Sequence, residues 1–229
     1  MQPALEGRHV VITGGTGGLG GAVVEAFAAA GAICHLPTQG PAPQSIRDLA
    51  GAEFVPGVDL TDEQAVEAFY ASLPSLWASI HLAGGFRAGP ITSTSLADLT
   101  RQIDLNLVTA FLCCREAVRL MRKSDGGRIV NVGSRASEAP ASGTVVYAAS
   151  KGAVATLTRS LAEEVKRDGI LVNAVLPSII DTPANRAAMP KADPTGWPKP
   201  AEIASAILWL ASPQNRLTSG TLVPVYGSG

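Results

Sequence analysis

Tyr147 and Lys151 stand four residues apart in a segment of helical period, 144–167. At that spacing two side chains share a helix face and reach a common centre. Tyrosine, with a pKa of ~10, is a poor base near neutrality, but a neighbouring ammonium favours the phenolate. Each unit of lowering needs ~1.4 kcal/mol of preference for the anion. Such a pair can exchange a proton with a bound oxygen. A Tyr-x-x-x-Lys spacing is common in helices and by itself decides nothing. Ser134 adds to it, standing thirteen residues before the tyrosine and just past a predicted strand at 128–132. In an open parallel sheet that is the edge where ligands bind.

A second constellation is Thr13-Gly14-Gly15-Thr16-Gly17-Gly18-Leu19-Gly20, between a predicted first strand and first helix. Glycine is required where backbone turns sharply, approaches a pyrophosphate, and lets helix and strand pack closely. The helix N-terminus beyond offers unpaired N–H groups and a partial positive charge to a phosphate. The spacing is Gly-x-x-x-Gly-x-Gly (14, 18, 20) rather than Gly-x-Gly-x-x-Gly.

The elements that must position these residues alternate along the chain. Short apolar runs at 9–12, 32–36, 53–55, 79–82, 128–132, 170–176 and 221–225 read as strands. Segments 18–30, 45–50, 97–122, 144–167 and 202–211 read as helices, and another opens at 61–64 with Thr61 as cap and Gln64 completing a capping box. Residues 183–200 contain five prolines and read as an irregular excursion. Alternation with strands apolar on both faces predicts an α/β fold: a doubly wound, Rossmann-type parallel sheet of about seven strands with helices on both faces. With no linker and no repeat, 1–229 reads as a single domain.

Composition limits the partners. Of 229 residues, 18 are Lys or Arg and 19 are Asp or Glu, a net charge of −1 that gives no basic field for a nucleic-acid backbone or an anionic membrane. Charged residues are 16% against a typical ~25%, and the 46% hydrophobic share supplies a sizeable core. Cys34, Cys113 and Cys114, odd in number and two of them adjacent, fit neither a disulfide framework nor a metal-ligand spacing, and read as buried thiols. The opening MQPALEGRH has no basic region leading into an apolar stretch. These features predict a soluble cytoplasmic protein with no metal site.

The variant glycine spacing, with Ser134, Tyr147 and Lys151, resembles the short-chain dehydrogenase/reductase family in its classical form, nearly end to end. The resemblance implies an NAD(P)(H)-dependent oxidoreductase moving a hydride between the nicotinamide and a small-molecule carbonyl or secondary alcohol. Ser134 would bond the substrate oxygen, Tyr147 would exchange its proton as general acid/base, and Lys151 would bind the nicotinamide ribose. Asn106 would hold a water linking the lysine to solvent. Cofactor contacts would come from Gly14, Thr16, Gly18, Leu19, Gly20, Asp59, Leu60, Ala83, Gly84, Tyr147, Lys151, Pro177, Ile180 and Thr182. Asp59 would meet the adenine, and Ile180 and Thr182 the carboxamide. A homodimer or homotetramer is implied, with Ala117, Val118, Ala153, Val154, Leu157 and Leu161 as apolar material, although core packing explains most of these equally well.

The sequence also departs from that pattern. Leu82-Ala83-Gly84-Gly85 stands where the family has Asn-Ala-Gly, and Ser178 replaces the glycine after Pro177. The second predicted strand ends in Leu36-Pro37-Thr38-Gln39, with no acid to accept ribose hydroxyls and repel an extra phosphate, which tips the cofactor toward NADP. Residues 183–200 would form a small flap carrying Trp197 and, with Phe86, Arg87, Arg135 and Val145, would leave an open pocket where Arg87 or Arg135 could greet an anion. Two alternatives stay open: a C=N reductase like the dihydropteridine reductases, which share the Ala-Gly-Gly turn, and a catalytically silent dinucleotide-binding sensor or scaffold.

Overall fold

Short branched runs closed by glycine or proline fold as strands, and the alanine- and leucine-rich stretches between them as helices. The computed structural model describes residues 4–41 and 43–228. Residues 1–3, within the stretch read above for a leader, residue 42 in the loop 39–43, and residue 229 lie outside them. The elements run β1 (His9–Thr13), α1 (Gly20–Ala29), β2 (Ile33–Thr38), α2 (Gln44–Arg47), β3 (Ala52–Pro56), α3 (Glu63–Ala71) and β4 (Ala78–His81). There follow α4 (Leu96–Ile103), α5 (Thr109–Met121), β5 (Gly127–Val132), α6 (Val145–Glu164), β6 (Ile170–Pro177), α7 (Pro183–Ala188), α8 (Pro200–Ala211) and β7 (Leu222–Val225).

The seven strands form one parallel sheet in the order β3-β2-β1-β4-β5-β6-β7, the doubly wound architecture expected. Alternate side chains divide between two apolar layers, as a strand's period of two requires. Val10, Ile12 and Ile80 pack with Phe27 of α1 and Ile203 and Ile207 of α8. Val11 and Ile129 pack with Phe69 of α3 and Leu112, Ala117 and Met121 of α5. The chain reverses direction across the sheet between β1 and β4, where Thr13 lies in register with His81. The turns leaving those two strands therefore flank one crevice at the carboxyl edge.

Four local expectations are corrected. Asp62, not Thr61, caps α3, accepting from the N–H groups of Gln64 and Ala65. Thr61 is already taken, since both its N–H and its hydroxyl donate to Asp59. The single helix expected over 97–122 is α4 and α5 joined by a wide π turn, Asp104–Val108, which points Asn106 inward. The first helix starts at Gly20, because residues 16–19 form the turn. Finally, the excursion 183–200 contains α7, with Pro183 at its first position and Thr182 accepting from Asn185 N–H as cap.

A polar chain crosses the layer between β4, β5 and α6. The Thr158 hydroxyl donates to Val154 O (2.8 Å), so its oxygen accepts from Asn131 Nδ2 (2.9 Å). Asn131 Oδ1 then faces His81 Nδ1 (2.7 Å), which must carry the proton. His81 Nε2 accepts from Ser79 (2.8 Å), and Ser79 accepts from Tyr70 (2.7 Å). Every link has one direction, and burial brings His81 down to about 4, so it is neutral. The three cysteines are buried and free.

Candidate active site

The glycine loop is built by contacts that exclude a side chain. Gly14 has φ +67°, and a Cβ there would lie 2.8 Å from Ala83 N, so the turn after β1 presses on the turn after β4. A Cβ on Gly20 would lie 2.3 Å from Gly14 O, closing helix onto strand. Gly18 sits beside Thr182, whose Cγ2 would be 3.1 Å from its added Cβ. Leu19 buries its side chain in the core, leaving the start of α1 with no side-chain cap and no acid in its first turn. This end of the helix dipole is uncompensated, and Thr16 and the glycines surround it with small groups. Those features fit the pyrophosphate of a dinucleotide.

Across the crevice, Ser134 lies two residues past β5, where its Oγ accepts from Ala136 N–H (3.1 Å) and it shares a cavity lining with Tyr147. Tyr147 and Lys151 share a face of α6. The phenol is not lowered as expected: burial pushes it above its ordinary value, and Ser134 pulls it only partly back. Lys151 is buried as well, its ammonium donating to Val132 O at 2.8 Å, and burial brings it down to about 8. Desolvation costs both charged forms and outweighs the pairing read from their spacing. The Phe86 ring stands edge-on to Tyr147, with centroids 4.9 Å apart.

Asn106, 1% exposed, spends its amide on backbone and helix. Oδ1 accepts from Gly85 N–H (2.9 Å), and Nδ2 donates to Gly85 O (3.0 Å) and to Ser150 Oγ (3.0 Å). The water role implied by resemblance leaves one lone pair of Oδ1 for that contact. Gly84 is wedged beside it: an added Cβ would lie 2.5 Å from Asn106 Oδ1 and 3.4 Å from Lys151 Nζ. The Thr13 hydroxyl accepts from Ala83 N–H (3.3 Å), so the turn holds without the family's asparagine, and Leu82 packs on the core.

Ser134, Tyr147, Lys151, Pro177 and Ile180 line one cavity of about 1030 Å³. Thr182 lies outside that lining and packs against Gly18 of the glycine loop. Asp59 and Leu60 stand apart, beyond β3 at the far side of the sheet. There Asp59 is exposed, and its bonds to Thr61 and to Gln39 hold its carboxyl below the usual range. Phe86, Trp197 and Arg135 line the cavity as expected. Arg87 instead bridges Asp98 (3.0 Å), and Val145 lies outside the lining. Ile179, Met189 and Tyr226 are lining residues that the sequence reading missed. For Tyr226 a signal existed: it follows the last strand, and ligands sit beyond the carboxyl ends of strands. Ser178 keeps an ordinary negative φ and donates its hydroxyl to Tyr226 O (2.7 Å).

A family profile described as short chain dehydrogenase matches residues 8–193. The chain belongs to the short-chain dehydrogenase family. The 3β-hydroxysteroid dehydrogenase 1 of Eggerthella lenta is 32% identical over 99% of this chain and 95% of that protein. A solved structure described as a short chain dehydrogenase/reductase family protein superposes with a TM-score of 0.92 at 31% identity, over 100% of this chain and 99% of that one. ElxO with NADP bound shares the fold, with a TM-score of 0.90 at 23% identity over 96% and 98% of the two chains. As a short-chain dehydrogenase, the chain is an NAD(P)-dependent oxidoreductase. Among the dehydrogenase's described residues, no group of three His, Cys, Asp or Glu is placed to hold a metal ion, and no helix is long and apolar enough to cross a membrane.

Proposed function

We propose that the chain interconverts a ketone and a secondary alcohol with NADP(H), Tyr147 giving and taking the proton. When bound, the nicotinamide supplies or accepts the hydride. Ser134 holds the substrate oxygen within reach of the Tyr147 hydroxyl, and in the reducing direction the phenol donates its proton to that oxygen as charge develops there. The raised pKa of Tyr147 keeps this proton in place at neutral pH. Lys151 holds the nicotinamide ribose, and Asn106 fixes Gly85 so that Gly84 stays against the lysine. The turn Gly14, Thr16, Gly18, Leu19 and Gly20 seats the pyrophosphate. Ala83 and Gly84 allow close approach of the nucleotide, Asp59 and Leu60 meet the adenine, and Pro177, Ile180 and Thr182 border the carboxamide.

The observation that carries this reading is that Ser134, Tyr147 and the buried Lys151 line one cavity, with Ser134 near enough to pull on the Tyr147 phenol. A secondary-alcohol substrate is supported by the Eggerthella relative, named for a 3β-hydroxysteroid. NADP is supported by the absence of an acid at the end of β2, where Thr38 closes the strand and Gln39 turns its side chain to Asp59. The NADP held by ElxO points the same way. The chain acts as a single domain over 1–229, with 183–200 as its flap, in a reducing cytoplasm that suits three free thiols. It works as a homodimer or homotetramer. Ala117, Val118 and Val154 are buried within the chain, which leaves the partly exposed Ala153, Leu157 and Leu161 for pairing.

Tyr147→Phe should abolish turnover across a panel of ketones and leave NADPH binding in a fluorescence titration largely intact; full activity in that variant overturns the mechanism. Parallel titrations with NADH and NADPH read the cofactor preference. Turnover of quinonoid dihydropterin indifferent to Ser134→Ala would favour the C=N reductase, and tight binding without turnover of any carbonyl would favour the sensor.

A further inference from the structure

Ser178 stands where the family pattern has glycine, and it begins a ring of contacts. Its hydroxyl donates to Tyr226 O (2.7 Å), and its N–H to Val225 O (3.4 Å). Two residues on, the Ser228 N–H donates to Gly196 O in the flap (3.1 Å). Between them Gly227 has φ +75°, and a Cβ there would lie 2.1 Å from that same Gly196 oxygen and 3.0 Å from Pro198 N. Pro198 O in turn accepts from Asp181 N–H (2.9 Å), three residues past Ser178. The exit of β6, the flap and the carboxyl end of β7 are thus stitched together. The Tyr226 ring lies under the Arg135 guanidinium, 5.1 Å from its centroid, and lines the cavity with Trp197 and Tyr147.

We propose that 226–228 is the fastening that holds the flap over the substrate cavity, and that Tyr226 is a specificity-determining residue. The proposal rests on the cavity being the substrate site, as read above. Only glycine fits at 227, because any side chain would push the Gly196 carbonyl, and with it the flap, away. The Ser178 hydroxyl fixes the carbonyl of the residue whose ring meets the substrate.

The test uses the full chain and two readouts. In limited trypsinolysis under native conditions, cleavage after the exposed Lys191 in the flap reports its opening. Gly227→Ala should speed that cut at least tenfold, and Ser178→Ala, which removes one hydrogen bond, about fivefold. No change in either variant overturns the fastening, and Ser178→Ala carries this arm should Gly227→Ala fail to fold. In the kinetic arm, Tyr226→Ala should raise KM for the fused-ring ketone 2-decalone at least tenfold more than for butanone, with kcat and NADPH affinity within about twofold. Equal effects on both ketones overturn the specificity role. Failure of the wild type to reduce any ketone would overturn the substrate-site reading, and the specificity role with it, while trypsinolysis still decides the fastening.

Discussion

Replacing Asn106 by alanine removes three hydrogen bonds at one stroke and strands the Gly85 N–H and C=O that it had satisfied. Ser150 keeps its own bond to Tyr147 O and loses only a donor. At ~1 kcal/mol net per buried hydrogen bond, the loss is about 3 kcal/mol, more if water does not reach Gly85. In a chain of this size each kcal/mol lowers Tm by about 2–4 °C, so a drop of about 6–12 °C is expected by scanning calorimetry. Turnover should fall further than stability alone explains, because Gly85 carries Gly84 with it. A shift of the lysine against the nucleotide worth ~1.4 kcal/mol in the transition state is tenfold in rate. Asn106→Asp should do no better, keeping the acceptor for Gly85 N–H but losing both donors. A variant melting within 1 °C of wild type with unaltered kcat would refute the claim that this side chain holds the turn.

Other outcomes follow from burial. His81 has a folded pKa of about 4 against an ordinary 6.5, so below pH 6.5 the unfolded chain binds the extra proton. Stability should therefore fall by about 3 kcal/mol as pH drops from 6.5 to 4, and nitrogen-resolved NMR should find His81 neutral with the proton on Nδ1 at pH 5.5; a midpoint near 6.5 contradicts this. Lys151 has a folded pKa of about 8 against 10.5, so again the unfolded chain binds more protons, here between those values. Wild-type stability should rise relative to Lys151→Met by about 3 kcal/mol across that window, and the variant should be the more stable, though inactive, at pH 7. Gly20→Ala should cost more than 10 °C in Tm or prevent folding, whereas Gly17→Ala, whose Cβ would meet only Gly14 O at 3.3 Å, should be mild; equal effects would remove the close-packing argument.

Much of the candidate site's arrangement was legible because it is local. The glycine spacing, the four-residue step from Tyr147 to Lys151 and the position of Ser134 beyond a strand each need only a few residues of chain and one period. What failed needed neighbours from elsewhere. Thr61 and Asp62 are equally good caps in sequence, and Asp59 decides between them by occupying the threonine. The state of the Tyr147 phenol depends on how deeply α6 is covered, which spacing does not report. Arg87 is drawn off by Asp98 and Arg135 kept by Tyr226, a division set by tertiary packing. Pro183 behind Thr182 was a readable helix start, lost among the other prolines of its segment. The ring through Ser178, Gly196 and Gly227 joins segments up to fifty residues apart and leaves no periodic trace.

The wide turn at Asp104–Val108 also bears on how the chain tolerates changes in length. Removing one residue there would leave a smoother helix by any measure of intrinsic preference. Yet each residue of an α-helix advances about 100°, so the shortened chain would face an impossible choice. If α5 kept its seat against the sheet, the Asn106 side chain would swing off Gly85. If Asn106 stayed, Leu112, Ala117 and Met121 would rotate out of the core they fill. The surplus residue works as a phase adjuster between two helical rods, letting one be geared to the cofactor crevice and the other to the sheet.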